Sequence, residues 1–316
     1  MIALAESRAV ARGSRDFARS DALRAEIAAA GWVVTDEPAG WRLAPKPPYE
    51  VLPSVRDLPD RSAEPAGRRA SVAVLVEGWP ADLRECVEAV LTHAPPDVAI
   101  LGLDLGNVDG AGDVLHELAV SAPDRVSEWH VSAPAGWGPA RSALLRADTA
   151  EVHVWLETST VLVGDALTPV LEVFSDPAVV GAGWRGVNVD LTEHWRSFVP
   201  AGPGPVDALL GYLFALRRSA AAEVGGPHPK ARFYRNADIE FSFALREATG
   251  GRLVVPPAEL PLRQGRHRGY FDSDPAYRDR ESKRTYDRVL QRFRGRTDLL
   301  ADPSRSSPPP GDATGP

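Results

Sequence analysis

The chain opens with two stretches of helical periodicity, the second placing Leu23, Ile27 and Ala30 on one face before Gly31 stops it. Short apolar runs follow, Trp32-Val33-Val34 and Trp41-Arg42-Leu43, around the turn residues Pro38-Ala39-Gly40. Residues 1–48 therefore read as a helical hairpin joined to a small β-hairpin. From Ala44 to about Ala70 no period is evident, and Pro45, Pro47, Pro48, Pro53, Pro59 and Pro65 stand among charges, so residues 49–70 read as a linker. The pattern then alternates. Residues 71–76, 98–103, 126–131 and 152–156 are apolar enough for strands, and 81–93, 114–121 and 140–147 carry helical periods between them. A further strand is expected at 252–256 and a helix at 278–294, and this alternation predicts an α/β fold over residues 71–300. Residues 301–316 are rich in Pro, Ser and Gly and read as a disordered tail.

Composition narrows the function class. With 44% hydrophobic and 25% charged residues in 316, the chain has the make-up of an ordinary globular protein with a sizeable core. A formal charge of -7 disfavours a general polyanion binder and leaves only a regional basic face open. A single cysteine excludes an intrachain disulfide framework and a thiolate-rich zinc site, and Cys86 falls on the apolar stripe of Leu83, Val87, Val90 and Leu91. No signal-type leader and no run near 18 apolar residues is visible, so a cytoplasmic protein is expected; peripheral contact with a membrane surface stays open.

Glu77, Asp104 and Glu157 stand at the carboxyl ends of expected strands, where open α/β sheets bind ligands. The most telling run is Tyr234-Arg235-Asn236-Ala237-Asp238-Ile239-Glu240-Phe241, in which two carboxylates open an apolar helix after an aromatic, basic loop. Such a place suits a general base. First-turn acids also suit the positive end of a helix dipole, worth roughly 0.3–1 kcal/mol, so a structural role for each fits the spacing equally well.

The order of these elements resembles a family 2-like glycosyltransferase domain of the GT-A fold over about residues 71–300. The resemblance implies a nucleotide-sugar-binding sheet with helices on both faces. It points to Val76, Glu77 and Asp104 as nucleotide contacts, and to Arg141, in Gly136-Trp137-Gly138-Pro139-Ala140-Arg141-Ser142, as a cation facing the diphosphate. Glu157-Thr158-Ser159 stands where the family has Asp-x-Asp, one carboxylate lengthened and the other replaced by a hydroxyl. Glu157 with the donor diphosphate would then hold Mn or Mg, more weakly than two aspartates do. His267, between Arg266 and Arg268, reads either as a further metal ligand or phosphate contact or as a solvated surface residue. The run Gly211-Tyr212-Leu213-Phe214 and the Glu223-Val224-Gly225-Gly226 that follows resemble the acceptor-side strand and helix. Asp238 then matches the family's general base and Glu240 its acidic neighbour, while Ala237 replaces an acid the family usually carries.

A second resemblance lies at the other end. Ser14-Arg15-Asp16-Phe17-Ala18-Arg19-Ser20-Asp21-Ala22-Leu23, then Gly31-Trp32, Asp36 and Gly40-Trp41-Arg42, resembles the C-terminal end of cysteinyl-tRNA synthetases, without that family's catalytic signatures. It implies tRNA as a partner. Independently, Arg8, Arg12, Arg15 and Arg19 would form one basic stripe able to track RNA phosphates if a helix ran through Gly13-Ser14; Gly13 argues for two helices and a solvated arginine face.

Trp137, Trp184 and Trp195 are candidates for stacking on sugars or for core and rim. The cations of the 278–294 helix, Lys283, Arg284, Arg288 and Arg292, read as a solvated face or as contacts for an anionic acceptor. The expectation is a glycosyltransferase that moves a sugar from a nucleotide-sugar donor to an unknown hydroxyl acceptor, with inversion inferred from the resemblance. The alternative is a catalytically silent nucleotide-sugar-binding or tRNA- or protein-binding accessory protein, which Ala237 and the altered Asp-x-Asp favour.

Overall fold

The computed structural model describes residues 1–37 and 40–304, so Pro38 and Ala39 of the expected turn and residues 305–316 of the expected tail lie outside the described residues. The chain divides into two compact units, Met1–Glu50 and Val51–Pro316.

In the first unit, helices α1 (Ile2–Gly13) and α2 (Phe17–Ala29) precede strands β1 (Trp32–Glu37) and β2 (Gly40–Pro45), which pair antiparallel. Asp16 caps α2 by accepting the Arg19 amide at 3.0 Å. Ala5, Ile27 and Val34 form its small core. The four arginines do not make one stripe. α1 ends at Gly13, and Arg15 turns the chain at φ +62. Arg8 is only 1% exposed, because its guanidinium meets Asp36 in a bidentate pair at 2.7 and 2.8 Å; Arg12 reaches the same carboxylate at 3.5 Å. A guanidinium taken out of water needs such a partner, so Arg8 is withdrawn from any RNA-facing surface. Arg12, Arg15 and Arg19 are exposed.

The second unit begins inside the stretch expected to be a linker. Strand β3 (Val51–Leu52) pairs with His130 and Val131 further on, and Val55 and Leu58 are buried in the main core. Isolated apolar side chains between prolines bury without any period, which is why the pattern did not show them. The chain then runs through β4 (Arg68–Val76), α3 (Pro80–His93), β5 (Ala99–Leu105), α4 (Ala111–Ser121), β6 (Val126–Val131), α5 (Trp137–Ala147) and β7 (Ala150–Leu156). After β8 (Thr160–Leu162) and α6 (Leu167–Glu172) come β9 (Val179–Gly183), β10 (Gly186–Val189), β11 (Phe198–Ala201), β12 (Gly204–Val206), β13 (Ala208–Leu209) and β14 (Leu213–Arg217). The unit closes with α7 (Arg218–Val224), α8 (Ala237–Thr249), β15 (Arg252–Val255), β16 (Leu262–Gln264), α9 (Arg268–Phe271) and α10 (Pro275–Phe293).

The main sheet has the order β12-β15-β9-β14-β7-β4-β5-β6-β3. β7, β4, β5, β6 and β3 are parallel neighbours, whereas β14 runs antiparallel to both β7 and β9. β4 shows why both faces are covered: Val72, Val74 and Val76 pack with α3 residues Leu83, Cys86 and Val87, while Ala73 and Leu75 join Leu144 of α5 and Phe241 of α8. The Cys86 thiol is fully buried, and that desolvation raises its pKa. A third cluster, including Val187, Trp195, Phe243 and Phe293, packs α8 and α10 against the small sheet β11-β10-β13. No helix among the described residues is long and apolar enough to cross a membrane.

Candidate active site

A cavity of about 630 Å³ opens at the carboxyl ends of β4 and β7, walled by the 231–236 loop, the start of α8 and the 267–277 segment. Glu77, Arg141, Glu157, Asp238 and His267 all line it, with Trp79, Trp137, Tyr212, Tyr234 and Tyr270 as aromatic walls.

Asp238 lies in the first turn of α8, 7% exposed. Its Oδ2 accepts the Gly211 amide at 2.8 Å and its Oδ1 the Ile239 amide at 2.8 Å. Burial pushes its carboxyl up to about 6, against backbone N–H bonds, those of Gly211 and Ile239 among them, that favour the charged form. A carboxylate held in a cleft with its proton affinity moved toward neutrality is what a general base requires.

Arg141 forms the floor. It is 3% exposed, its Nη1 donates to the Ala73 carbonyl at 2.8 Å, and its guanidinium sits 5.8 Å from both the Trp137 and Trp155 ring centres. Its Nε is buried with no hydrogen-bond partner. Desolvation lowers its pKa to about 10, opposed by Glu157 and Glu77, so it stays charged at neutral pH. The side chain is tied to strand carbonyls and offsets the cleft acids from beneath. Glu77 opens onto the wide cleft yet lies deep among protein atoms; that desolvation, reinforced by Glu157, raises its pKa, and Arg141 opposes the rise.

Glu157 closes β7. Its Oε2 accepts from the Ser159 amide at 3.0 Å and from the Ser159 hydroxyl, while Oε1 faces His267 Nε2 at 4.0 Å, too long for a hydrogen bond. His267 is not the solvated surface residue its flanking arginines suggested: it is 8% exposed and stacks on Tyr234 at 4.5 Å and 15°. Its Nδ1 is buried without a partner. Among the described residues no group of three or more His, Cys, Asp or Glu side chains could hold a metal ion. Two donors, Glu157 Oε1 and the His267 Nε2 that faces it at 4.0 Å, nevertheless fit a divalent ion whose remaining ligands come from substrate oxygens.

Three expected site residues lie elsewhere. The Val76 side chain packs into the core beneath α3, because alternation along β4 gives the cleft to Leu75 and Glu77. Asp104 is 1% exposed at the end of β5 and does not line the cavity; it accepts the Asn107 amide at 2.8 Å and lies 3.0 Å from His130 Nδ1. The other nitrogen of His130 lies 2.9 Å from Glu128. Burial alone would lower His130, but its bonds to Asp104 and Glu128 outweigh that and raise its pKa. Glu240 points away from the cavity and makes a bidentate pair with Arg288 at 2.7 Å for each bond, joining α8 to α10. The α10 cations are consumed in such pairs: Lys283 with Asp287, Arg284 with Glu281, Arg292 with Glu247. Trp195 is core, whereas Trp184 is half-buried beneath Arg185 at 4.3 Å.

Trp79, Arg232, Tyr270 and Tyr277 were not among the expected site residues: the first two stand in loops, Tyr270 in the short helix α9 and Tyr277 in the first turn of α10. The only signal was the density of aromatic and basic residues from 232 to 235 and from 266 to 280.

No family model matches the chain. Over 150 residues it is 31% identical to polyprenol monophosphomannose synthase of Mycolicibacterium smegmatis, covering 42% of this chain and 56% of that protein. The match thus spans little more than half the length of that relative. A second match, 56% identical over 43 residues, is to cysteine–tRNA ligase of Opitutus terrae and covers 14% of this chain and 9% of that enzyme. Among solved structures, that of GalNAc-T7 with UDP, GalNAc and Mn²⁺ aligns at a TM-score of 0.56 and 17% identity, over 71% of this chain and 48% of that one. At that identity the likeness speaks to the fold, which is of the GT-A type: a central, mainly parallel sheet with helices on both faces.

Proposed function

We propose that the Val51–Pro316 unit is a glycosyltransferase that takes a sugar from a nucleotide-sugar donor and passes it to a hydroxyl acceptor with inversion at the anomeric carbon. The observation that carries this reading is Asp238, a buried carboxylate facing the cavity with its carboxyl raised to about 6. The similarity to a mannose-transferring synthase supports the same class of donor.

Asp238 accepts the proton of the acceptor hydroxyl. As it does so, the acceptor oxygen forms its bond to the anomeric carbon from the face opposite the diphosphate, and the bond from that carbon to the diphosphate oxygen breaks. The nucleoside diphosphate departs with the electron pair. At neutral pH a group with a pKa near 6 is mostly ionised, hence able to take the proton, and basic enough to take it usefully. Trp137, Tyr212 and Tyr234 give the cavity apolar walls on which the sugar would pack. Glu77 and Trp79, neighbours on the cavity wall, would contact the nucleoside. Glu157 and His267 would hold a divalent Mn or Mg together with the donor diphosphate, supplying charge neutralisation for the leaving group.

A second reading, a nucleotide-sugar-binding protein without turnover, is favoured by the engagement of Glu157 with Ser159 and by Ala237 in place of an acid. The two separate in one experiment: incubation with nucleotide-sugars and a panel of hydroxyl acceptors, comparing the full chain with Asp238→Asn. Transfer that falls at least 100-fold in the variant while donor binding persists supports the enzyme. Binding without transfer in either form supports the second reading. For the Met1–Glu50 unit, the short likeness to cysteine–tRNA ligase supports a docking role toward tRNA, with Arg12, Arg15 and Arg19 as its exposed cations.

A further inference from the structure

The loop before α8 is fixed through its backbone. The Ala231 carbonyl accepts the Gly138 amide at 2.7 Å, and the Arg232 carbonyl accepts the Trp137 amide at 3.2 Å and the Tyr277 hydroxyl at 3.3 Å. A Cβ built on Gly136 would lie 3.1 Å from the Arg232 Cα, so the glycine permits this close approach. The side chains of Arg232 and Arg235 are by contrast exposed at the mouth of the cavity, which both line. Neither meets a carboxylate among the described residues. Arg235 donates to the Tyr270 hydroxyl at 2.9 Å, and the Tyr270 ring lies between two guanidiniums, 5.2 Å from that of Arg235 and 4.4 Å from that of Arg278.

Their surroundings make this unusual. Arg266 is paired with Asp272, Arg268 with Asp82 and Arg288 with Glu240, and the whole chain carries a net charge of -7. Two guanidiniums left unneutralised at a cavity mouth in an acidic protein form a local positive lip. Guanidinium is also the side chain best shaped to grip carboxylate or phosphate in two parallel hydrogen bonds. Arg235 stands in the loop that enters α8, three residues before Asp238, and both line the cavity, so a molecule whose hydroxyl meets Asp238 lies against the same loop.

We propose that the acceptor carries an anionic group beside its reacting hydroxyl, a carboxylate or a phosphate, and that Arg232 and Arg235 hold it. The inference rests on the transferase reading above and specifies its acceptor. The test is equilibrium binding to the full chain and to an Arg232→Gln/Arg235→Gln double variant, with glucose, glucuronate and glucose 6-phosphate as acceptor probes and UDP and GDP as donor fragments. The expected result is that glucuronate or glucose 6-phosphate binds at least tenfold more tightly than glucose, and that the double variant loses this preference. Affinity for the nucleoside diphosphate should change by less than twofold. Whichever anion wins identifies the carboxylate or the phosphate.

Equal binding of the three sugars, or a preference that survives the double variant, would overturn the proposal. So would a parallel loss of nucleoside diphosphate binding, which would give the arginines to the donor. A charge-matched Arg12→Gln/Arg15→Gln variant must keep the preference; its loss there would reduce the effect to overall charge and also overturn the assignment. Failure of the transferase reading is recorded separately, by an absence of nucleoside diphosphate binding in the unaltered chain.

Discussion

The carboxylate of Asp238 holds the amide of Gly211 at 2.8 Å, joining the first turn of α8 to the segment that enters β14. One side chain thereby ties two walls of the cavity together, while its second oxygen accepts the Ile239 amide at 2.8 Å.

The raised carboxyl of Asp238 predicts a pH signature. Between its ordinary value and about 6, the folded chain keeps a proton that the unfolded chain releases. The stabilising contribution is therefore fully present below the unfolded value and is lost as pH rises through about 6. Asp238→Asn should remove that decline, so the difference in Tm between variant and parent should move in favour of the variant from pH 4 to pH 7. Transfer should rise along an acid limb centred near pH 6 in the parent. A limb unchanged in position in a variant with residual activity would assign it to another group.

Arg141→Leu removes a cation that donates to the Ala73 carbonyl and lies between two tryptophan rings. Buried acceptors left unpaired and Glu77 and Glu157 left without their positive neighbour should cost on the order of 2–4 kcal/mol, read as a lower midpoint in chemical denaturation. Donor binding should weaken as well, since the cleft acids would repel a diphosphate unopposed.

Glu240→Gln should act on stability and spare the chemistry. It breaks the paired bonds to Arg288 between α8 and α10, at a cost on the order of 1–3 kcal/mol, because Arg288 keeps some exposure to water. Turnover per folded molecule should stay within about twofold. A large fall in turnover with unchanged stability would return Glu240 to the catalytic machinery.

Arg8→Gln leaves Asp36 without its bidentate partner and should loosen the Met1–Glu50 unit by roughly 1–2 kcal/mol. Any salt-sensitive RNA binding should instead follow Arg12, Arg15 and Arg19, whose replacement by Gln should leave the fold intact. Proteolytic protection of the unit separates the two effects.

The alternation of strands and helices was legible because each strand in the sheet centre is apolar on both faces and each helix keeps one stripe; the five strands expected from 71 to 156 and at 252–256 all formed within a few residues of their expected ends. The lining of the cavity was legible where a carboxylate coincided with an element's end, as at Glu77, Glu157 and Asp238. Val76 misled because a strand's last residue faces the cavity or the core according to register, which spacing alone does not give. Glu240 misled because its partner, Arg288, lies 48 residues away on another helix. Burial of Val55 and Leu58 between prolines, and of His267 between arginines, follows from tertiary packing that overrides local composition.

The most direct test of the donor site is thermal stabilisation of the full chain by nucleoside diphosphates and nucleotide-sugars, with and without Mn²⁺, beside Glu157→Ala, because a ligand that binds only the folded state raises its stability. The expected result is a rise in Tm with one nucleotide class, larger with Mn²⁺, and loss of the Mn²⁺ dependence in Glu157→Ala. No rise with any donor, or a Mn²⁺ dependence untouched by the substitution, would contradict it.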